Sequence, residues 1–251
     1  MNELQKQHRI EPHKLFPGIY GDNTRRLPFV RSLFNSTAPY YDAINQLFSL
    51  GTGAWYRRRC LVRAGLQPGH RIIDVAIGTG LLAQEAIAIT GDRCQVIGID
   101  VSEGMLAIAR EKLGVPLVQA AAEALPIADG AADFVTLGYA LRHMSDLVIA
   151  FREFRRVLRS GGTVLVLEIS RPGKRLNRAL ASTYLGWIVP LLSRLVTGDI
   201  NAQKLMQYHW ETIEQCVPPQ IILDAMSAGG FDNVYCTTDL DFFRSYVGRK
   251  S

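Results

Sequence analysis

The run Arg71-Ile72-Ile73-Asp74-Val75-Ala76-Ile77-Gly78-Thr79-Gly80 is followed, 20 residues after Gly80, by Asp100. Ile72, Ile73 and Val75 make a short buried strand, Gly78 and Gly80 turn the backbone tightly, and Leu81 to Ile89 carries the apolar spacing of a helix. Such a turn brings a ligand close to bare backbone beside a helix N-terminus, whose unpaired N–H groups favour negative charge. The next strand, Cys94-Gln95-Val96-Ile97-Gly98-Ile99, delivers Asp100 to the same edge of the sheet. A carboxylate there can accept hydrogen bonds from both hydroxyls of a ribose. This is the layout of a nucleotide-type cofactor site on a doubly wound sheet.

The spacing selects among cofactors. A dinucleotide fingerprint needs glycines as G-x-G-x-x-G, leaving room for a pyrophosphate. Here the row is Ala76-x-Gly78-x-Gly80, and Leu81 occupies the last position of the pattern. Asp74, at the strand end, would repel a pyrophosphate but suits the ammonium of an amino acid. Asp74, Ala76, Gly78, Gly80 and Asp100 therefore read as a site for S-adenosylmethionine. The bland alternative is a strand–helix turn whose glycines only aid packing. An NAD or nucleotide-sugar oxidoreductase is disfavoured by Leu81 and Asp74.

Working outward, strands at 71–75, 95–99, 116–119, 133–137 and 163–169 alternate with helices at 80–90, 103–112 and 146–158. Gly161-Gly162 marks a tight turn into the fifth strand. A helix at 219–228 and strands at 232–238 and 241–248 close the chain. This predicts an α/β fold, a seven-stranded mostly parallel sheet with helices on both faces. Residues 1–28 are polar, with Pro12, Pro17, Gly18 and Gly21, and read as a mobile tail or partial lid. Residues 29–251 read as one domain: a lid of two helices (29–66), a cofactor-binding half (67–170), and a substrate cap with closing strands (171–251).

At 251 residues, 48% hydrophobic and 20% charged, the chain is long enough for a sizeable core. A net charge of +5, without aromatic residues interleaved among the basic ones, reads as solvated helix faces rather than a nucleic-acid groove. A weak attraction to anionic membranes stays open. Cys60, Cys94, Cys216 and Cys236 show no metal spacing and read as free thiols of a cytoplasmic protein without a metal site. No signal peptide and no run of 18 apolar residues is apparent. The Leu176–Thr197 segment is apolar nearly all round and interrupted by Pro190. It either lines a prenyl channel or touches a bilayer, or packs as a cap helix.

Three further segments carry a resemblance. Tyr40-Tyr41-Asp42-Ala43-Ile44-Asn45-Gln46-Leu47-Phe48-Ser49-Leu50-Gly51 resembles the Y-D-x-M-N-x-x-x-S-x-G segment of the ubiquinone/menaquinone biosynthesis C-methyltransferases. Leu141-Arg142-His143-Met144-Ser145-Asp146 resembles their L-R-N-V-x-D segment, and Arg156-Val157-Leu158-Arg159-Ser160-Gly161-Gly162 their R-V-L-K-P-G-G turn. Ala76 matches that family's own D-x-A-x-G-T-G row. The match covers about residues 30 to 235 in order and spacing. It implies a Rossmann-like class I methyltransferase using S-adenosylmethionine, with an N-terminal helical lid and an inserted cap helix. Departures gather mostly on the substrate side: Gly53 and Tyr56 replace His and Trp, His143 replaces Asn, and the terminal strand differs. On the cofactor side Ala121 replaces an Asp or Asn whose side chain would contact the adenine amino group.

Methyl transfer from a sulfonium is an in-line displacement that rewards alignment and exclusion of water. A carbon nucleophile also needs an ionised neighbouring phenol or enol. Arg142, after the fourth strand, suits the stabilising cation, and His143 beside it suits the proton acceptor. Their bland alternatives are a salt-bridge arginine and a structural histidine. Tyr41, on one helical face with Asp42 and Asn45, completes the candidate catalytic set; the resemblance lays this segment over cofactor and acceptor. Val101 and Met105, after the second strand, Ala122 and Glu123, where the adenine should lie, and Tyr139 complete the cofactor set. Asn45, Tyr208, His209 and Trp210 are the candidate substrate wall. The expected partner is an apolar small-molecule acceptor, with peripheral membrane contact and a homodimer as further expectations. The expected reaction is C-methylation of a quinol, phenol or enol. Alternatives are an O- or C-methyltransferase of specialised (natural-product) metabolism and a cofactor-binding scaffold.

Overall fold

The computed structural model describes residues 9–251 apart from residues 15, 17 and 18. Helix α1 (Asn23–Thr37) starts where the Asp22 carboxylate accepts from the Thr24 and Arg25 N–H groups, an N-cap that satisfies otherwise orphaned donors. A 3₁₀ turn at Ala38–Tyr40, with Pro39 in its first positions, separates α1 from α2 (Tyr41–Ser49). Leu50 and Gly51, both at positive φ, end α2 before α3 (Gly53–Arg63). The two helices expected over 30–65 are thus three. The boundary expected at residue 28 falls inside α1, and Phe16, Tyr20 and Arg26 before it are buried. The first eight residues of the expected tail lie outside the described residues.

The sheet then forms in alternation: β1 (Ile72–Val75), α4 (Leu81–Thr90), β2 (Val96–Asp100), α5 (Glu103–Leu113), β3 (Leu117–Gln119), β4 (Ala132–Gly138), α6 (Leu147–Val157) and β5 (Leu158–Ile169). The cap follows as α7 (Arg175–Thr183), a π turn (Tyr184–Ile188), α8 (Val189–Thr197) and α9 (Ile200–Gln215); α10 (Pro219–Ala228), β6 (Asp232–Asp239) and β7 (Phe243–Arg249) complete the chain. Strand order is β3-β2-β1-β4-β5-β7-β6, parallel throughout except that β7 runs antiparallel to both β5 and β6. The register Val75↔Ile99 and Val75↔Leu137 aligns the ends of β1, β2 and β4, so the segments that follow them share one edge.

Two apolar layers sandwich the sheet. On one face Val75, Ile99 and Val135 meet Phe151 and Phe154 of α6 and Met226 of α10. On the other, Ile72, Val96 and Phe134 meet Leu61 of α3, Leu82 of α4 and Leu106 of α5. Each such side chain contributes on the order of 1.5–3 kcal/mol by leaving water. A third cluster ties lid to cap: Phe16, Tyr20, Val30 and Ile44 pack on Leu185, Val189 and Leu205.

The segment from Arg175 to Thr197 is one continuous 23-residue helix, long and apolar enough to cross a membrane by length and composition alone, and only 22% of its most apolar window is buried. Arg178, Ser182, Thr183 and Arg194 interrupt the segment, so no 18 consecutive residues are apolar and its membrane-spanning character is one of average composition. Pro190 does not break it because it falls in the first turn of α8, past the π turn.

Candidate functional site

The ends of β1, β2 and β4 enclose a cavity of about 700 Å³, roofed by Leu27, Val30 and Phe34 of α1. Ala76, Gly78, Asp100, Val101, Met105, Ala122, Glu123, Tyr139 and His143 line it, so most of the sequence-predicted cofactor residues converge here. A recess of about 380 Å³ continues from it around Asp74, sharing Tyr41, Ala76, Gly78 and Tyr139 and adding Asn45 and Arg57. Gly80 stands behind the loop: a Cβ there would lie 2.4 Å from the Leu113 side chain, so its role is close packing at φ +90°. Gly78 is different. At φ +58° it has nothing within 4 Å of a would-be Cβ, and its bare backbone faces the cavity. Ala76 and Tyr139 also hold positive φ, of 52° and 61°. An L-residue in that region costs about 1–2 kcal/mol, strain of the kind that gathers at functional sites.

The two carboxylates sit differently. Asp100 accepts from the Gly78 N–H at 2.9 Å through one oxygen and from the Ser102 N–H at 2.8 Å through the other, bracing the loop from below. Burial raises its pKa to about 6 against the lowering effect of those N–H groups. Asp74 takes the Thr136 hydroxyl at 2.6 Å on one oxygen, while the other is buried without a partner. Burial raises the Asp74 pKa to about 7. An orphaned carboxylate oxygen beside bare glycine backbone fits the ammonium end of S-adenosylmethionine, and Asp100 retains lone pairs for a ribose. The Glu123 carboxylate accepts from the Ser145 N–H at 2.6 Å, which anchors the expected adenine segment to the turn before α6.

A second cavity, about 630 Å³, adjoins the first through Tyr41 and Tyr139. Ile44, Phe48, Tyr56, Ile169, Met206 and Phe243 give it apolar walls; Asn45, Arg57, Arg142 and His209 supply the polar points. Of the expected substrate wall, Asn45 and His209 are present. Tyr208 and Trp210 lie outside both cavities, packed in and against the lid–cap cluster. The reason is helical geometry: consecutive residues of α9 point about 100° apart, so three in a row cannot share one wall. Burial pushes Tyr41 up to about 12, keeping its hydroxyl protonated, and burial beside Arg142 pushes His209 down to about 3.

Arg142 departs from the sequence reading. It is 1% exposed, and its Nε donates to Glu168 Oε1 at 2.9 Å in a fully buried ion pair. Its Nη1 donates to the Thr212 hydroxyl at 2.6 Å and the His209 carbonyl at 3.1 Å. The charge is therefore already matched within the scaffold, although the side chain borders the cavity. His143 lies on the cofactor side, with Nδ1 3.3 Å from the Tyr208 hydroxyl and Nε2 buried without a partner. Burial and the neighbouring Arg142 charge lower its pKa well below the ordinary value, so the imidazole is neutral.

Several residues escaped the sequence reading. Arg57 borders both the second cavity and the Asp74 recess; among the described residues its Nε is buried and unpartnered, and a 3.5 Å contact reaches Asn45. Hydrogen bonds close the lid on the sheet edge, where Lys112 also pairs with Asp42. Thr79 donates to Asp42 at 2.6 Å, while Asn35 accepts from the Ser102 hydroxyl at 2.6 Å and the Gly104 N–H at 3.0 Å. Arg26, fully buried, donates to the Arg142 carbonyl at 2.8 Å and meets His13 at 2.5 Å, so the N-terminal segment braces the Leu141–His143 turn. The Y-D-x-x-N run was a signal for the lid. Nothing local marked Asn35 or Arg26.

The model of the ubiE/COQ5 methyltransferase family matches residues 21–239. The chain belongs to that family. It is similar to the ubiquinone/menaquinone biosynthesis C-methyltransferase UbiE of Shewanella frigidimarina, 33% identical over 224 residues that cover 86% of this chain and 88% of that one. It is likewise similar to the UbiE of Ectopseudomonas mendocina, 32% identical over 93% of each. Among solved structures it resembles an S-adenosylmethionine-dependent methyltransferase from Thermotoga maritima, described as a possible histamine N-methyltransferase. That match has a TM-score of 0.63 at 19% identity and covers 88% of this chain and 99% of that one, a likeness of fold. A phosphoethanolamine N-methyltransferase of Haemonchus contortus in complex with S-adenosylmethionine matches with a TM-score of 0.54 at 15% identity, covering 78% and 52%. The chain is thus a methyltransferase of the class I fold, dependent on S-adenosylmethionine.

Proposed function

We propose that this methyltransferase places a methyl group on a ring carbon of an apolar quinol or phenol. One observation carries the reading: a mostly apolar cavity opens onto the cofactor cavity at Tyr41 and Tyr139, where a planar acceptor would face the methyl donor. The names of the relatives favour a quinone precursor over the acceptor of specialised metabolism that the altered C-terminal strand left open.

When bound, S-adenosylmethionine supplies an electrophilic methyl group on a sulfonium. The protein's own residues would bind, align and dry the reactants, which can be worth on the order of 7–11 kcal/mol of barrier. Asp74 would take the ammonium and Arg57 the carboxylate of the methionine end, since a zwitterion needs both signs in one recess. Asp100 would hold the ribose hydroxyls; Val101, Met105, Ala122 and Glu123 would flank the adenine. Tyr41 and Tyr139 would close over the reacting centre, while Asn45 and His209 would orient acceptor oxygens. Arg142, paired to Glu168, would hold the His209 backbone and Thr212 in place at the border of the acceptor cavity. The unpartnered Nε2 of His143, at the border of the cofactor cavity, would accept the proton; its lowered pKa keeps the imidazole neutral but makes it a weak base, so the contribution would be modest. A membrane-resident acceptor would also make peripheral contact with a bilayer useful.

The test is transfer of isotopically labelled methyl from S-adenosylmethionine to a short-chain demethylated quinol, with the product mapped by NMR. Label on a ring carbon supports the reading; label on oxygen, or turnover only with non-aromatic acceptors, overturns it.

A further inference from the structure

Resting on the reading of an apolar acceptor, we propose that the outer face of the Arg175–Thr197 helix docks on an anionic lipid bilayer, from which the acceptor enters the second cavity. The inner side of this helix is occupied: Leu185 and Val189 are buried in the lid–cap cluster. The outer side is not. Leu176, Leu180, Trp187 and Leu191 are exposed by 71%, 62%, 77% and 55%, and their spacing of 4, 7 and 4 residues keeps them on one face. A contiguous apolar face of this size marks an interaction surface.

Charge identifies the partner. From Ser170 to Gly198 the sequence holds five basic side chains, Arg171, Lys174, Arg175, Arg178 and Arg194, and no acidic one. Arg178 pairs with Glu214; the other four form no ion pair among the described residues. Asp241 stands near Lys174, taking its backbone N–H at 3.1 Å, but the basic side chains outnumber it. Apolar side chains edged by such an excess of cations suit the boundary between acyl chains and anionic headgroups. A two-fold contact with a second copy would instead set these like charges against each other.

Continuity with the site strengthens the assignment. The Tyr184 hydroxyl donates to the Leu47 carbonyl at 2.7 Å, fastening this helix to α2. The last turn of α2 carries Phe48 and Ser49 of the acceptor cavity wall, and the next residue, Leu50, is exposed. The helix that carries the apolar face is therefore fastened to the element that lines the rim of the second cavity.

The experiment is flotation of the full chain with phosphatidylcholine vesicles, with and without phosphatidylglycerol, for wild type and for a Leu180→Asn/Trp187→Asn/Leu191→Asn variant. Turnover of a tail-less soluble quinol is measured alongside and reports folding. Binding to anionic vesicles weakened at least about tenfold in the variant, with soluble turnover intact, is the expected result. A second variant, Lys174→Glu/Arg175→Glu, should abolish the preference for phosphatidylglycerol. Vesicle binding unchanged in the triple variant overturns the surface. Absence of vesicle binding by wild type, or a wild-type dimer that becomes monomeric in the triple variant, overturns the lipid assignment. Soluble turnover stands in each of those cases, so its loss in wild type is a failure of the functional reading, not of this one.

Discussion

Along the cofactor edge, each ligand-facing group follows directly from a strand end: Asp74 and Ala76 from β1, Asp100 and Val101 from β2, Tyr139 from β4. Across Tyr41 and Tyr139, the acceptor cavity takes its wall from α2, α3, the end of β5, α9 and β7. The first site is made mostly of backbone held by parallel strand pairing, so few residues specify it. The second is made of side chains from elements as much as 200 residues apart in sequence, such as Tyr41 and Phe243. A family can therefore keep the first while redrawing the second. The departures at Gly53, Tyr56 and the terminal strand fall at or beside the acceptor cavity, while those at Ala121 and His143 fall on the cofactor side.

Arg142 tests where the border between the two lies. If it belongs to the scaffold, Arg142→Ala leaves Glu168 buried without its partner and costs about 3–5 kcal/mol, read as a lowered urea midpoint. Retained stability with turnover lost would instead return Arg142 to the acceptor side as a free cation. Asp100→Ala removes two charge-assisted acceptors from the Gly78 loop and the ribose site. Affinity for S-adenosylmethionine, measured calorimetrically, should fall about 100-fold while the acceptor KM stays put. A matching rise in acceptor KM would show that the two cavities are not separable.

His143 stands at the junction. His143→Asn restores the residue usual in the family and should lower kcat by about 30-fold if the imidazole takes the proton. Because burial and Arg142 hold its pKa well below 6.5, the wild-type kcat should show no histidine-type acid limb between about pH 6 and pH 8. An unchanged kcat in the variant would assign the ring to packing beside Tyr208.

These contrasts follow what the sequence could convey. The strand–turn–helix run from Ile72 to Gly80 and the placement of Asp100 were legible because they are local: periodicity, glycine and a carboxylate at a strand end carry the information. The topology of five strands was legible for the same reason. The neutralised state of Arg142 was not, because Glu168 and Thr212 stand 26 and 70 residues away and only the packed sheet and cap bring them together. Tyr208 and Trp210 read as a wall from composition, yet helix geometry turns them aside. The hold of Arg26 and His13 on the Leu141–His143 turn depends on an N-terminal segment whose polar composition resembled a tail. Arg57 was hidden within a basic run that looked like a solvated face.

Asp74 separates the two sites by pH. Its folded pKa of about 7 lies above the ordinary 3.8, so the cofactor-free native state holds the proton more tightly than the unfolded chain does. That contribution to stability is full below about pH 3.8 and is lost as pH rises through about 7. A bound ammonium favours the ionised carboxylate, so binding at about pH 6 must release a proton and binding at about pH 8 need not. The fraction ionised rises from about 0.1 to about 0.9 across that interval, which predicts cofactor affinity about tenfold higher at the upper end. Calorimetry in two buffers of different ionisation enthalpy reads the proton directly. Asp74→Asn should flatten the slope and abolish the release, leaving the smaller change due to Asp100, whose pKa is about 6. Acceptor affinity should not follow this titration, because Asp74 lines its own recess and not the second cavity. If both ligands track one titration, the two sites share a single ionising group and the division between them fails.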